Sequence, residues 1–77
     1  MDLDEFIAQF AEQLDTTDAG SISADTEFKN LDDWTSMTAL AVIAMVDAEY
    51  GIQIKSEDLS RNATIADLFA CVKALKG

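Results

Sequence analysis

The stretch best equipped for chemistry is Asp33-Trp34-Thr35-Ser36-Met37-Thr38-Ala39-Leu40, with Asp32 immediately upstream. It sets a hydroxyl, Ser36, at the opening of an apolar segment, with two carboxylates and an indole just before it. A serine hydroxyl needs a neighbouring base to act as a nucleophile, and the 77 residues include no His and one Cys. A Ser-His-Asp triad, a Cys-His dyad, a His- or Cys-rich zinc site and an internal disulfide are all excluded on that count. The acidic groups Asp2/Asp4/Glu5 and Asp32/Asp33 lack the spacing of a calcium-binding loop and read as helix-end and solvated charge. Cys71, set among Phe69, Ala70 and Val72, reads as a small buried hydrophobe. A Ser at a helix start is by itself an ordinary cap. What Ser36 does therefore depends on the elements that place it.

Those elements predict an all-α fold of three major helices and one short one, in a single domain over residues 1–77. Leu3, Phe6, Ile7, Phe10 and Leu14 follow helical spacing and predict a first helix over about residues 2–15. Asp2, Asp4 and Glu5 fall in its first turn, where the helix dipole favours negative charge. Asp15 to Ser21 breaks the pattern, with Gly20 free to take a positive φ. A long loop follows, with Phe28 and Leu31 as expected anchors; loops of this length in small domains are often functional. Thr35–Tyr50 reads as the second helix. Met37, Leu40, Ile43, Ala44 and Ala48 form its expected principal face, widened by Val42, Met45, Val46 and Tyr50. Gly51 is placed to stop it. Ser56 to Leu59 predicts a single turn capped by Ser56. Thr64-Ile65-Ala66-Asp67 resembles a capping box, after which Ile65, Leu68, Phe69, Val72 and Leu75 form one stripe. Lys73 and Lys76 lie at the end that suits positive charge.

The charge is uneven. Residues 1–35 carry ten acids and one base, whereas residues 55–77 carry three acids and four bases, within a net charge of −10. Such acidity repels phosphate backbones and anionic membranes, so nucleic acid is not an expected partner and basic protein surfaces are. The longest apolar run, Ala39–Val46, has eight residues, against about 20 for a bilayer span. The N-terminus is acidic where a secretory signal would be basic. The expectation is a cytoplasmic monomer without membrane insertion.

With Ser36-Met37 at the head of an apolar helix, and Tyr50-Gly51-Ile52 closing that helix fourteen residues on, the chain resembles the acyl carrier protein family over essentially its whole length. The family carries Ser in an Asp-Ser-Leu or Asp-Ser-Met motif at this point, and Ile52-Gln53-Ile54 matches its short hydrophobic segment before the third helix. The resemblance implies a 4′-phosphopantetheine arm, taken from coenzyme A, on the hydroxyl of Ser36. The arm's thiol would hold acyl groups as thioesters, and chemistry would reside in that thiol and in visiting enzymes. A phosphodiester at a helix N-terminus suits the dipole and its free amides. The implied protein is no enzyme. Its implied pathway is fatty-acid or related lipid synthesis. Carriers of polyketide, aminoacyl or D-alanyl units are the nearest alternative, and an acidic helical interaction module without a prosthetic group is the alternative from another class.

Implied partners are a phosphopantetheinyl transferase and acyl-loading and acyl-processing enzymes, met by Asp32, Asp33, Trp34, Thr35, Met37, Leu40 and Asp47. For Trp34 a half-buried anchor is the stronger reading of the residue itself, and for Leu40 core packing and partner contact weigh equally. Thr35 departs from the family, which has Asp before the modified Ser. Thr still caps a helix, but the docking charge must then come from Asp32 and Asp33. The exposed side of the second helix offers Thr38, Ala41, Asp47, Ala48 and Glu49, fewer acids than many relatives, which predicts partner docking that leans on apolar contact. Ala39, Ala44, Val46, Ile54, Leu59, Ile65 and Leu68 either line an acyl cavity or pack tightly.

Overall fold

The computed structural model describes residues 2–15 and 17–76. Four helices account for its regular structure: α1 (Leu3–Ala11), α2 (Ser36–Tyr50), α3 (Ser56–Arg61) and α4 (Ile65–Lys76), with no strand among the described residues. Helix α1 packs on α2 and α4, and α3 packs on both α2 and α4.

Helix α1 starts where the Asp2 side chain accepts from the Asp4 amide at 3.2 Å. It ends at Ala11, four residues short of the expected limit. The chain continues in tighter i→i+3 bonds, from Gln13 N–H to Phe10 O (3.0 Å) and Leu14 N–H to Ala11 O (3.1 Å). That tightening is a common way for a last turn to satisfy its carbonyls. Leu14 is still buried, so the apolar spacing was a true core signal even where the α-helix had stopped.

The long connection to α2 is well tied. Ile22 and Phe28 are buried, and two 3₁₀ turns (Ala19–Ser21 and Phe28–Asn30) tighten it. Gly20 sits in the first of these turns and does not take a positive φ; among the described residues only Gly51 does. The Asp18 carboxylate accepts from the Gly20 amide at 3.2 Å, so the turn is closed by an Asx-type bond rather than by a left-handed residue. Farther along, the Ala66 amide donates to Ala24 O (2.9 Å) and the Ile65 amide to Thr26 O (3.1 Å). The loop's own carbonyls thus satisfy amides at the start of α4, which fastens loop and helix together.

Helix α2 differs from expectation in its buried face. Val42, Met45 and Val46 enter the core, while Ala44 and Ala48 are exposed, Met37 is 80% exposed and Leu40 63% exposed. The segment is apolar nearly all round, so several stripes satisfied the helical period. Packing against α1 and α3 selected one of them. Gly51 ends the helix in the left-handed region (φ 68°), its amide donating to Asp47 O at 2.9 Å.

Helix α3 is longer than the expected single turn, and Ser56 is its first residue rather than its cap. Lys55 holds the cap position, and its amide donates to Asp58 Oδ2 at 2.9 Å. Asp58 also pairs with the Arg61 guanidinium. The carboxylate is therefore held where the helix dipole favours it. The capping box at α4 is present as expected, with Asp67 N–H to Thr64 Oγ1 at 3.1 Å and Thr64 N–H to Asp67 Oδ2 at 3.3 Å. Leu75, placed on the core stripe by spacing, is 54% exposed: in the last turn of α4 it borders an open hollow shared with Gln53, Lys55 and α3 instead of entering the core. Cys71 is half-buried rather than buried.

Candidate functional site

The turn before α2 is pinned from below. Trp34 stacks on Phe10 with ring centroids 6.1 Å apart, and meets Phe28 edge-on at 5.0 Å. Phe10 and Phe28 touch in turn at 5.5 Å and are themselves fully buried. This aromatic trio ties α1, the loop and the head of α2 into one unit, each pair adding to simple burial. Trp34 is an anchor of the site, its ring half-buried on this trio.

Above the anchor the backbone is set by hydrogen bonds. Trp34 N–H donates to Leu31 O at 2.9 Å. Thr35 is the N-cap of α2: its Oγ1 accepts from Thr38 N–H at 3.2 Å and its carbonyl accepts from Ala39 N–H at 2.9 Å. Thr38 Oγ1 donates to Asp33 O at 2.5 Å, closing the turn from the other side. Thr35 thus supplies the cap expected of it in place of a carboxylate. Ser36 follows as the first helical residue, exposed, at the electropositive end of a 15-residue helix.

The two acids before Ser36 have different circumstances. Asp32 is exposed. Asp33 is half-buried and accepts from both the amide (2.6 Å) and the hydroxyl (2.5 Å) of Thr17, so it holds the loop after α1 against the head of α2. Met37 and Leu40 are exposed one turn apart beside Ser36. Asp47 is exposed too but lies eleven residues along α2, about 16 Å from Ser36 at the helical rise. The structure gathers Asp32, Asp33, Trp34, Thr35, Met37 and Leu40 around Ser36, and leaves Asp47 outside.

Two depressions flank Ser36. One, of about 310 Å³, runs between the head of α2 and α3; Trp34, Ala39, Leu40 and Leu59 give it apolar walls and Lys29, Ser36, Ser56 and Ser60 polar ones. The other, of about 460 Å³, lies on the α1 side and includes Asp15, Asp32, Asp33, Thr35 and Met37. Of the residues considered for an acyl cavity, Ala39 and Leu59 border the first groove and Ala44 is exposed. Val46, Ile65 and Leu68 show no exposure, and Ile54 is nearly as buried; all four belong to the packed core.

The sequence reading missed Lys29, Ser56 and Ser60 as neighbours of Ser36. Lys29 stands out in retrospect as the one base before Lys55. Its ammonium donates to Ser60 O at 2.5 Å and so bridges the Phe28–Asn30 turn to α3.

The residues present fit an anionic arm on Ser36: an exposed hydroxyl, a helix N-terminus behind it and an open groove beside it. Among the described residues no His/Cys/Asp/Glu group is arranged to hold a metal ion. Nor is any described helix long and apolar enough to cross a membrane. A family model described as a phosphopantetheine attachment site matches residues 4–72. No curated protein and no solved structure matches the chain.

Proposed function

The chain belongs to the phosphopantetheine-attachment family, and on that premise we propose that Ser36 bears the arm and that the protein carries acyl thioesters in fatty-acid or related lipid synthesis. Members of this family are carriers that hold 4′-phosphopantetheine covalently and work with a phosphopantetheinyl transferase and partner enzymes. When bound, the arm supplies a thiol for acyl transfer. The chain's own part is to present the hydroxyl, steady the helix end and offer surface to visitors.

The observation that carries the assignment is the position of Ser36: exposed, first in α2, and capped by Thr35 rather than acting as a cap. A Ser used only for capping would sit one residue earlier and spend its oxygen on a backbone amide. Here Thr35 has that task, which leaves the Ser36 hydroxyl available. Met37 and Leu40 offer apolar contact to visiting enzymes, and Asp32 offers charge. The cytoplasm, where coenzyme A-dependent loading occurs, is the proposed location.

The polar wall of the groove, with Lys29, Ser56 and Ser60, supports a second reading in which the cargo is a polar specialised unit rather than a plain alkyl chain. Identifying the enzyme that loads the thiol separates the two. The attachment itself is tested by incubating the protein and a Ser36→Ala variant with coenzyme A and a broad-specificity transferase, then weighing both intact. A gain of one phosphopantetheine on the parent alone is expected. A gain on both, or on neither with several transferases, overturns the assignment.

A further inference from the structure

Ser36 stands between two hollows of opposite character. The α1 side holds the carboxylates of Asp15, Asp32 and Asp33; the α3 side holds the ammonium of Lys29. We propose that Lys29 binds the arm's phosphodiester and seats the arm in the α2–α3 groove, leaving the acidic hollow open to basic partners. The proposal rests on attachment at Ser36.

Three observations converge. Lys29 is the only base in the first 54 residues, amid twelve acids, so it is the single attractive charge that this part of the chain can offer a phosphate. Its side chain is already held at the groove by Ser60 O, at 2.5 Å. An ammonium carries three donors, so this bond leaves two to turn toward an anion. The groove's apolar wall, Trp34, Ala39, Leu40 and Leu59, suits the branched hydrocarbon portion of a pantetheine that starts from Ser36. On the opposite side a phosphodiester would face like charge from three carboxylates. An anion placed between the two hollows therefore leans toward Lys29.

The effect is modest in size. Exposed ion pairs contribute little individually and are screened by salt, so loss of Lys29 is expected to change the ratio of seated to free arm by a factor of about 1.4–5. The experiment uses the full chain, loaded from coenzyme A and verified by intact mass, as the parent, Lys29→Gln and Lys29→Arg. Nuclear Overhauser contacts from the arm's geminal methyls, together with the ³¹P shift of the phosphodiester, report where the arm lies. In the parent, contacts to the Trp34 ring and Ala39 methyl are expected, weakening at high salt. Lys29→Gln should weaken them by the factor above and move the ³¹P shift toward that of free phosphopantetheine, and Lys29→Arg should restore both.

Equal contacts and shifts in the parent and Lys29→Gln, or contacts to Met37 and Ala41 instead, overturn the proposal. Should Lys29→Gln fail to fold, the parent's own contacts and their salt response decide. A parent that gains no mass overturns the attachment at Ser36 and this proposal with it. A parent that gains mass but shows no Lys29 effect overturns this proposal alone.

Discussion

Trp34 and Met37 are three residues apart and both lie beside Ser36, yet the structure gives them opposite roles. Trp34 is the third member of an aromatic trio with Phe10 and Phe28, whereas Met37 is 80% exposed. Truncating a buried Trp to Ala costs about 3–5 kcal/mol. Trp34 is only half-buried, but two ring pairs are lost with it, each contributing about 0.5–1.5 kcal/mol beyond area. A cost of about 2–4 kcal/mol for Trp34→Ala balances these terms. A domain of this length has a total stability of roughly 4–12 kcal/mol, so the loss is a large share of the whole. At about 4–8 °C per kcal/mol it corresponds to a fall in melting temperature of roughly 10–30 °C. Met37→Ala removes no core contact and should stay within about 0.5 kcal/mol of the parent. Thermal and urea unfolding followed by far-ultraviolet circular dichroism would measure both. Transferase loading well below the melting point should still modify Trp34→Ala, since Ser36 itself is unchanged. A melting temperature for Trp34→Ala within about 3 °C of the parent, or an equal fall in Met37→Ala, would refute the anchor assignment.

Other residues make separate claims. Tyr50 packs on Phe6 at 5.9 Å, and its hydroxyl is buried with no hydrogen-bond partner among the described residues. Burial first, then the charges of Glu5, Glu49 and Asp2, raise its pKa above the ordinary 10.0. The folded state thus keeps the phenolic proton longer than the unfolded one, so its stability is full below pH 10 and declines as pH rises from there through the raised value. Tyr50→Phe should flatten that alkaline decline in urea titrations and match or exceed the parent's stability at pH 7; a steeper decline would contradict this. Asp58→Ala removes the side-chain acceptor for Lys55 N–H and the partner of Arg61, and should cost about 1–2 kcal/mol in chemical unfolding. A change below about 0.3 kcal/mol would show that water replaces both contacts. Binding of partner enzymes should depend on Met37 more than on salt, because the exposed face of α2 carries few charges. Loss of binding at high salt together with an unchanged Met37→Ala would reverse that ranking.

Much of this was legible in the residues. The stop at Gly51 followed from the need for a left-handed residue after a helix, and the Thr64–Asp67 box from side-chain reach. Phe28 and Trp34 were readable as anchors because large apolar rings in an otherwise polar loop have little else to bury against. The face of α2 was not legible: with apolar residues on nearly every side, periodicity gives no direction, and Met37 and Leu40 went outward once Val42, Met45 and Val46 had filled the contact with the core. The fastening of the loop to α4 through Ala24 and Thr26 carbonyls involves backbone alone, and no side-chain pattern announces it. Asp33 looked like a docking charge by sequence proximity to Ser36, while its engagement with Thr17 depends on how the loop returns. Lys29 escaped notice because its approach to Ser36 is made through α3, from a part of the chain that spacing cannot place.

The central claim is that Ser36 alone receives the arm, and intact mass measurement tests it most directly. After incubation with coenzyme A and a phosphopantetheinyl transferase, the parent should gain the mass of one phosphopantetheine and Ser36→Ala none. Peptide mapping should place the addition on the segment containing Ser36. Modification of Ser36→Ala, or a parent that stays unmodified by several transferases, would contradict the account.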